Sequence, residues 1–192
     1  MQIISGIGII NNALTDEYCD DLIKYFYKRT DLWEEGITLD GVNKDKKDAV
    51  QMWLKGTEHE LILNKILYGW VIEYLQKLGE NINWDYRSLL VKGTKFSGFK
   101  LQRYIKNDGH YNAIHQERDG TTVYKRMFVV MVYLNTVTDG GKTNFPYFDI
   151  SVQPNKGTIV IWPAGMPYLH YGETPISEHK FILTTWLEQI EG

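Results

Sequence analysis

The chain has 192 residues, 43% hydrophobic and 23% charged, which suits one well-cored globular domain and is short for two. Its net charge of -3 excludes a basic field for a nucleic-acid backbone, and the densest cationic run, Lys44-Asp45-Lys46-Lys47, is broken by acid. One cysteine, Cys19, excludes an internal disulfide and a thiolate zinc cluster, and reads as a small apolar residue on a helix face. No stretch of eighteen apolar residues is present, and Met1-Gln2-Ile3-Ile4 carries no positive n-region. The expectation is therefore a cytoplasmic protein off the membrane, in a reducing compartment.

Residues 3–10, isoleucines with Gly6 and Gly8 among them, predict a short strand leading into a helix that begins near Thr15 or Asp16. Tyr18, Leu22 and Phe26, with Ile23 and Tyr27, recur at three- and four-residue spacing and lay one face of that helix on a core. From about 33 to 56 the periodicity fails, and glycines, Asn43 and mixed charges predict a long connection with a strand or turn near 49–54. Connections of that length often serve as binding lids. Thr57 and Glu60 then fit a capping box, and Gly79 fits the residue just past the end of a second helix. Its expected stripe is Leu61, Ile66, Trp70, Tyr74 and Leu78; Trp70 reads as core at this spacing, and His59 as a solvated or capping histidine.

After residue 80 the texture becomes extended. Strand-like runs occupy 87–91, 99–105, 126–134, 150–153, 158–162 and 180–187, separated by Gly, Pro, Asn and Asp turns. Six short strands without intervening helices exclude a parallel α/β sheet and predict a sandwich or jelly roll in an α+β chain. The two helices would cover one outer face.

Chemistry concentrates in His115-Gln116-Glu117, His170 and Lys180. On a strand, a histidine and a carboxylate two residues apart share a face. A second imidazole from a later strand would complete the two-histidine, one-carboxylate set that leaves positions of a ferrous ion open. Taken alone, H-x-E on a strand is usually solvated. Lys180, Thr184 and Trp186, at alternating positions of the last strand, would project into the same interior. A buried lysine needs an anion to stay charged at modest cost.

The stretch from Leu101 to Leu187 resembles the Fe(II)- and 2-oxoglutarate-dependent prolyl 4-hydroxylase family, and Leu14 to Cys19 do so more weakly. The parts follow in the family's order: Leu101-Gln102-Arg103-Tyr104, Gly109, Tyr111, His115-x-Glu117, Arg126, Tyr133-Leu134-Asn135, Gly140 through Pro146, Pro154-x-Lys156-Gly157, His170, and Lys180 through Trp186. The resemblance implies a double-stranded β-helix (jelly roll) with N-terminal supporting helices, one domain over 1–192 with helical support at about 14–80 and the core at about 85–190. It implies that His115, Glu117 and His170 ligate Fe(2+), and that Lys180 and Tyr133 hold the distal carboxylate of 2-oxoglutarate, with Thr184 adding a hydroxyl. Tyr104 would lie near the metal and co-substrate, and Arg126 and Trp186 near a peptide substrate. Read from the residues alone, Tyr133, inside Val129 to Leu134, is better taken as an ordinary core tyrosine.

Relatives in that family usually carry aspartate where Glu117 stands, so this carboxylate is one methylene longer and must reach the metal through a different rotamer. Asp119 ranks as a distant second ligand. The implied activity is hydroxylation of a prolyl residue in a protein or peptide, with 2-oxoglutarate and O2 converted to succinate and CO2, and with ascorbate as an accessory reductant. Oxidation of a free amino acid or small metabolite is the enzymatic alternative, and a non-catalytic jelly-roll binding module the alternative from another class. His110 and His179 are expected bystanders.

Overall fold

The computed structural model describes residues 1–38, 41–80, 82–90 and 93–190. Both expected helices form, at Asp16–Lys28 and Glu58–Glu80. The first starts where Thr15 Oγ1 accepts the Tyr18 amide at 3.3 Å, with Asp16 and Glu17 beside the positive end of the helix dipole and Lys28 at the other end. It buries Cys19, Leu22 and Phe26. Before the second helix, Thr57 Oγ1 accepts from the Glu60 amide at 3.2 Å, while the Glu60 carboxylate reaches back to the Gly56 amide at 2.6 Å.

The second helix faces the core differently from the expected stripe. Leu63, Leu67, Val71, Tyr74 and Leu75 are buried, Ile66, Trp70 and Leu78 pack at the margin, and Leu61 is 74% exposed. Apolar residues lie on nearly every side of this helix, so periodicity alone leaves its rotation open. Gly79 lies inside the helix, not past it, and a side chain there would collide with the Trp84 carbonyl.

Among the described residues, two antiparallel sheets share a buried interior. The large sheet has nine strands, with Gln2–Ile4, Ile7–Ile10, Ile159–Pro163, Arg126–Tyr133, Lys180–Gln189, Lys100–Tyr104, Val50–Trp53 and Glu34–Glu35 side by side and Thr94–Phe96 added to the end of Lys180–Gln189. The smaller sheet has five: Ile150–Val152, Thr143–Phe145, His170–Gly172, His110–His115 and Lys47–Asp48. This is the jelly roll. Strand alternation divides the core in two. Val130, Val132, Phe181, Leu183 and Leu187 face outward onto the helices, while Val129, Met131, Tyr133, Ile182 and Trp186 face inward with Phe145 and Val152 of the small sheet. A fully buried aliphatic or aromatic side chain stabilises by roughly 1.5–3 kcal/mol, so the helical layer contributes heavily although it carries none of the candidate site residues.

Three expectations need correction. Residues 3–10 form a hairpin, not one strand, turning at Ser5 and Gly6, whose φ values of 50° and 79° lie in the left-handed region. The run 87–91 is largely a 3-10 helix, Tyr86–Leu90, because the Asp85 carboxylate accepts the Arg87 amide at 3.0 Å and pairs with its guanidinium; Val91 lies outside the described residues. The connection 33–56 contains short strands: Glu34–Glu35 and Val50–Trp53 extend the large sheet, Lys47–Asp48 extends the small one, and Ile37–Thr38 with Gly41–Val42 forms a separate two-stranded sheet. Among the described residues no helix is long and apolar enough to cross a membrane.

Candidate metal and co-substrate site

His115 ends strand His110–His115, and His170 begins its neighbour, His170–Gly172; the two residues are paired across the ladder. Their side chains therefore emerge on one face, with ring centroids 4.3 Å apart. Glu117 is not on the strand, contrary to the alternation argument. It arrives because its amide donates to the Ala164 carbonyl at 3.0 Å, tying the chain just past His115 to the end of Ile159–Pro163. Glu117 Oε1 lies 3.6 Å from His115 Nε2 and 3.7 Å from His170 Nε2, and the three ligand atoms are all within 4.8 Å of one another.

This donor set fits a small divalent cation. His115 Nδ1 donates to the Ala113 carbonyl at 2.8 Å and His170 Nδ1 to the Tyr168 carbonyl at 3.0 Å, so each neutral ring presents the lone pair of Nε2 inward. Spacings of 3.6 and 3.7 Å are too long for hydrogen bonds and short enough for one ion to bridge. Glu117 Oε2 is occupied by Trp186 Nε1 at 3.1 Å and Arg126 Nη1 at 3.3 Å, which leaves Oε1 to the imidazoles. Burial works to raise the Glu117 carboxyl, but the two adjacent imidazoles outweigh it and hold the group well below the usual carboxylate range. Burial, with His170 close by, lowers His115. Both groups are thus biased toward the deprotonated forms that bind metal. Tyr111 stacks on His115 at 3.8 Å and 14°, fixing the ring plane.

The triad borders a cavity of about 440 Å³, within the range of small-molecule sites. Its floor is a cross-strand ladder in which Lys180 pairs with Tyr104, Ile182 with Gln102, and Thr184 with Lys100. Lys180 is 3% exposed, and its ammonium donates to the Gly141 carbonyl at 2.6 Å. Gly141 holds φ at 70°, a conformation that presents this carbonyl and suits glycine. Burial pulls Lys180 down to about 7, with Glu173 opposing. Above it run hydrogen bonds from Tyr104 OH to Gln102 Oε1 at 3.4 Å and from Gln102 Nε2 to Thr184 Oγ1 at 3.0 Å.

Tyr133 stands behind this wall and does not line the cavity. Its ring lies 5.5 Å from Lys180 Nζ, while its hydroxyl is engaged with Thr143 Oγ1 at 2.7 Å and the Val152 carbonyl at 3.2 Å. The hydroxyl that does border the cavity here is Thr143's, which sequence reasoning passed over. Arg126 and Trp186 line the cavity and hold Glu117 together, the guanidinium lying 3.9 Å from the indole centroid. Asp119 stays outside the cavity, its carboxylate accepting from the Thr121, Thr122 and Val123 amides. His110 and His179 bond to the backbone elsewhere. His59 is also not simply solvated: it packs edge-on against Tyr25 at 4.8 Å between the helices.

Lys47 and Lys100 line the cavity too, and sequence reasoning missed both. Lys47 sits in a run that looked like an exposed charge cluster, but it pairs with Tyr111 in the small sheet and so points inward. Lys100 could have been found, because it lies in phase with Gln102 and Tyr104.

Residues 99–188 match the family model of the 2OG-Fe(II) oxygenase superfamily. The chain is 26% identical over 117 residues to Prolyl 4-hydroxylase 13 of Arabidopsis thaliana, a match covering 48% of this chain and 43% of that relative, so the chain aligns with less than half of the relative's length. Among solved structures it resembles the viral collagen prolyl hydroxylase of Paramecium Bursaria Chlorella virus-1 in its 2OG complex, with a TM-score of 0.71, 21% identity and 97% of each chain covered. A Trichoplax adhaerens prolyl hydroxylase, solved with a peptide fragment of the hypoxia inducible factor oxygen degradation domain, gives a TM-score of 0.70 at 15% identity, covering 96% of this chain and 84% of that one. The fold is common to the two solved structures, and the His-x-Glu and distal histidine fall within the stretch matched by the family model. Residues 99–188 thus match the 2OG-Fe(II) oxygenase superfamily, and the chain shares the fold of solved prolyl hydroxylases.

Proposed function

We propose that the protein is an Fe(II)- and 2-oxoglutarate-dependent dioxygenase that hydroxylates a prolyl residue of a protein or peptide. The observation that carries this reading is the convergence of two imidazole lone pairs and one carboxylate oxygen beside a pocket that ends in a buried lysine. Ferrous iron and 2-oxoglutarate, when bound, supply O2 activation coupled to decarboxylation of the 2-oxo acid to succinate and hydroxylation of a C–H bond.

The protein's own residues bind, orient and exclude. His115 and His170 are held as inward-facing ligands by the Ala113 and Tyr168 carbonyls, so little reorganisation accompanies metal binding. Arg126 and Trp186 fix the second oxygen of Glu117 and leave a single oxygen for the metal, which is how the longer glutamate fits. Lys180 pairs with the distal carboxylate of the co-substrate, and that anion stabilises its charged form against burial. Thr143, whose oxygen accepts from Tyr133, keeps its own hydrogen for the same carboxylate, so Tyr133 acts through Thr143. Thr184, Gln102 and Tyr104 complete a polar wall. Trp53, Trp186 and Arg126 line the substrate side.

Residues 1–192 work as one catalytic unit, with the helices supporting the large sheet. Ascorbate serves as the accessory reductant, and a cytoplasmic setting suits a free Cys19 and ferrous iron. The test is incubation of prolyl peptides with the protein, Fe(II), 2-oxoglutarate and ascorbate. Addition of one oxygen to proline, matched by succinate, is expected; succinate released only with free amino acids would reject the peptide reading.

A further inference from the structure

This inference rests on the hydroxylase reading for its placement on the substrate side. At the opposite end of the floor ladder from Lys180 lies a second cationic region that the metal and co-substrate do not neutralise. Lys100 pairs with Thr184, four residues along the strand from Lys180, a separation of roughly 13 Å at strand rise. Lys47 enters from the small sheet opposite Tyr111. The two are 8% and 2% exposed.

The two amines are hydrogen-bonded to each other, and their other described contacts are weak for buried lysines. Lys47 Nζ reaches the Ile37 carbonyl and Gln51 Oε1, each at 3.4 Å, and lies 5.0 Å from the Tyr111 ring. Lys100 Nζ lies 4.9 Å from the Trp186 ring and 5.6 Å from that of Trp53. Gln51 is fully buried and its Nε2 has no partner. Glu117 is the carboxylate both lysines feel, and its two oxygens already face the imidazoles, Arg126 and Trp186. Burial pushes both lysines below the ordinary lysine range, and Glu117 offsets this only in part. A buried charge is retained at a cost unless something pairs with it, and aliphatic residues would fill the same volume without that cost.

We propose that Lys47 and Lys100 form a carboxylate-binding subsite on the substrate side of the pocket, so that the molecule hydroxylated carries a carboxylate near the reacting C–H bond. Trp53, Trp186 and Tyr111 form apolar walls around the two ammonium groups and would pack the substrate's ring or aliphatic part. The carboxylate comes either from an acidic side chain next to the target residue or from a free α-carboxylate. Its shared chemistry is a planar anion taking donors from the two lysines.

Calorimetric titration of the protein, metal-free and loaded with Zn(II) and 2-oxoglutarate, distinguishes these. The probes are two pairs: acetyl-Pro-Glu-amide against acetyl-Pro-Gln-amide for the side chain, and acetyl-proline against acetyl-prolinamide for the terminus. The carboxylate member of at least one pair is expected to bind about tenfold tighter or more than its neutral partner. That preference is expected to collapse in the Lys47→Met/Lys100→Met variant and to survive in part in Lys100→Arg. Equal affinities within both pairs for the wild type, or a preference unchanged in the double variant, would overturn the subsite. Equal wild-type affinities would overturn the subsite even if the double variant fails to fold, and the single Lys100→Arg variant then carries the assignment to this end of the pocket. Failure of the hydroxylase reading registers separately, as absence of iron and 2-oxoglutarate binding; a carboxylate preference in the metal-free protein that Lys180→Met keeps and Lys47→Met/Lys100→Met loses would still support the subsite.

Discussion

Glu117 shows how a residue is placed by more than its spacing. Alternation along a strand predicts that it shares a face with His115, yet the strand stops at His115 and a backbone bond to Ala164 brings Glu117 into place. Because Trp186 Nε1 fixes Oε2, Trp186→Phe removes a donor while keeping the ring's bulk. Iron affinity, measured by anaerobic titration, should fall about 10- to 100-fold with the melting temperature little changed. At the other end of the pocket, Lys180 must be protonated to hold a dianion, and burial sets it at about 7. Affinity for 2-oxoglutarate should therefore be greatest below that pH and weaken as pH rises through it, by about tenfold per unit. Lys180→Met should bind weakly at every pH, with the dependence gone. An unchanged pH profile in that variant would show that Lys180 does not carry the effect.

Among the elements, the helices and the long inner strands were legible because their periodicity is strong and their caps are local. Tyr86–Leu90 was not, since an Asp85 side chain outcompeted the strand pattern at short range. Nor was Lys47, whose inward direction depends on pairing with a strand some sixty residues away in sequence, which no local window contains. The rotation of Glu58–Glu80 was equally hidden, because that helix is apolar on nearly every side. Leu67, fully buried on its inner face, gives a clean test of the supporting role. Leu67→Ala should cost about 2–5 kcal/mol in denaturant unfolding, through lost transfer energy and a residual cavity. The KM for 2-oxoglutarate should stay within about twofold, since the large sheet stands between Leu67 and the pocket. A large rise in KM would mean that the helical layer shapes the site directly.

At the scale of the molecule, the jelly roll brings residues from distant parts of the chain into one interior, and several of them are buried lysines. Lys180 titrates near 7 in the folded chain and at the ordinary 10.5 when unfolded, so between those values the unfolded chain binds more protons. Stability of the ligand-free protein should therefore rise with pH from about 7. The gain should reverse near pH 10, where buried tyrosines such as Tyr74 and Tyr133, raised by burial, begin to ionise only in the unfolded chain. Ligand-free unfolding monitored across that range checks both signs. Mass action adds a further expectation: Zn(II) with 2-oxoglutarate at about 100 times its Kd should stabilise by about 2.7 kcal/mol.

The central claim, that His115, Glu117 and His170 hold a ferrous ion to which 2-oxoglutarate binds, has one direct test. The protein is titrated with Fe(II) and 2-oxoglutarate without oxygen, and the visible metal-to-ligand charge-transfer band is followed in wild type and in His170→Ala. The account predicts a band that saturates with 2-oxoglutarate in the wild type and is absent from the folded variant. No band in correctly folded wild type, or iron binding and 2-oxoglutarate turnover retained by His170→Ala, would contradict it.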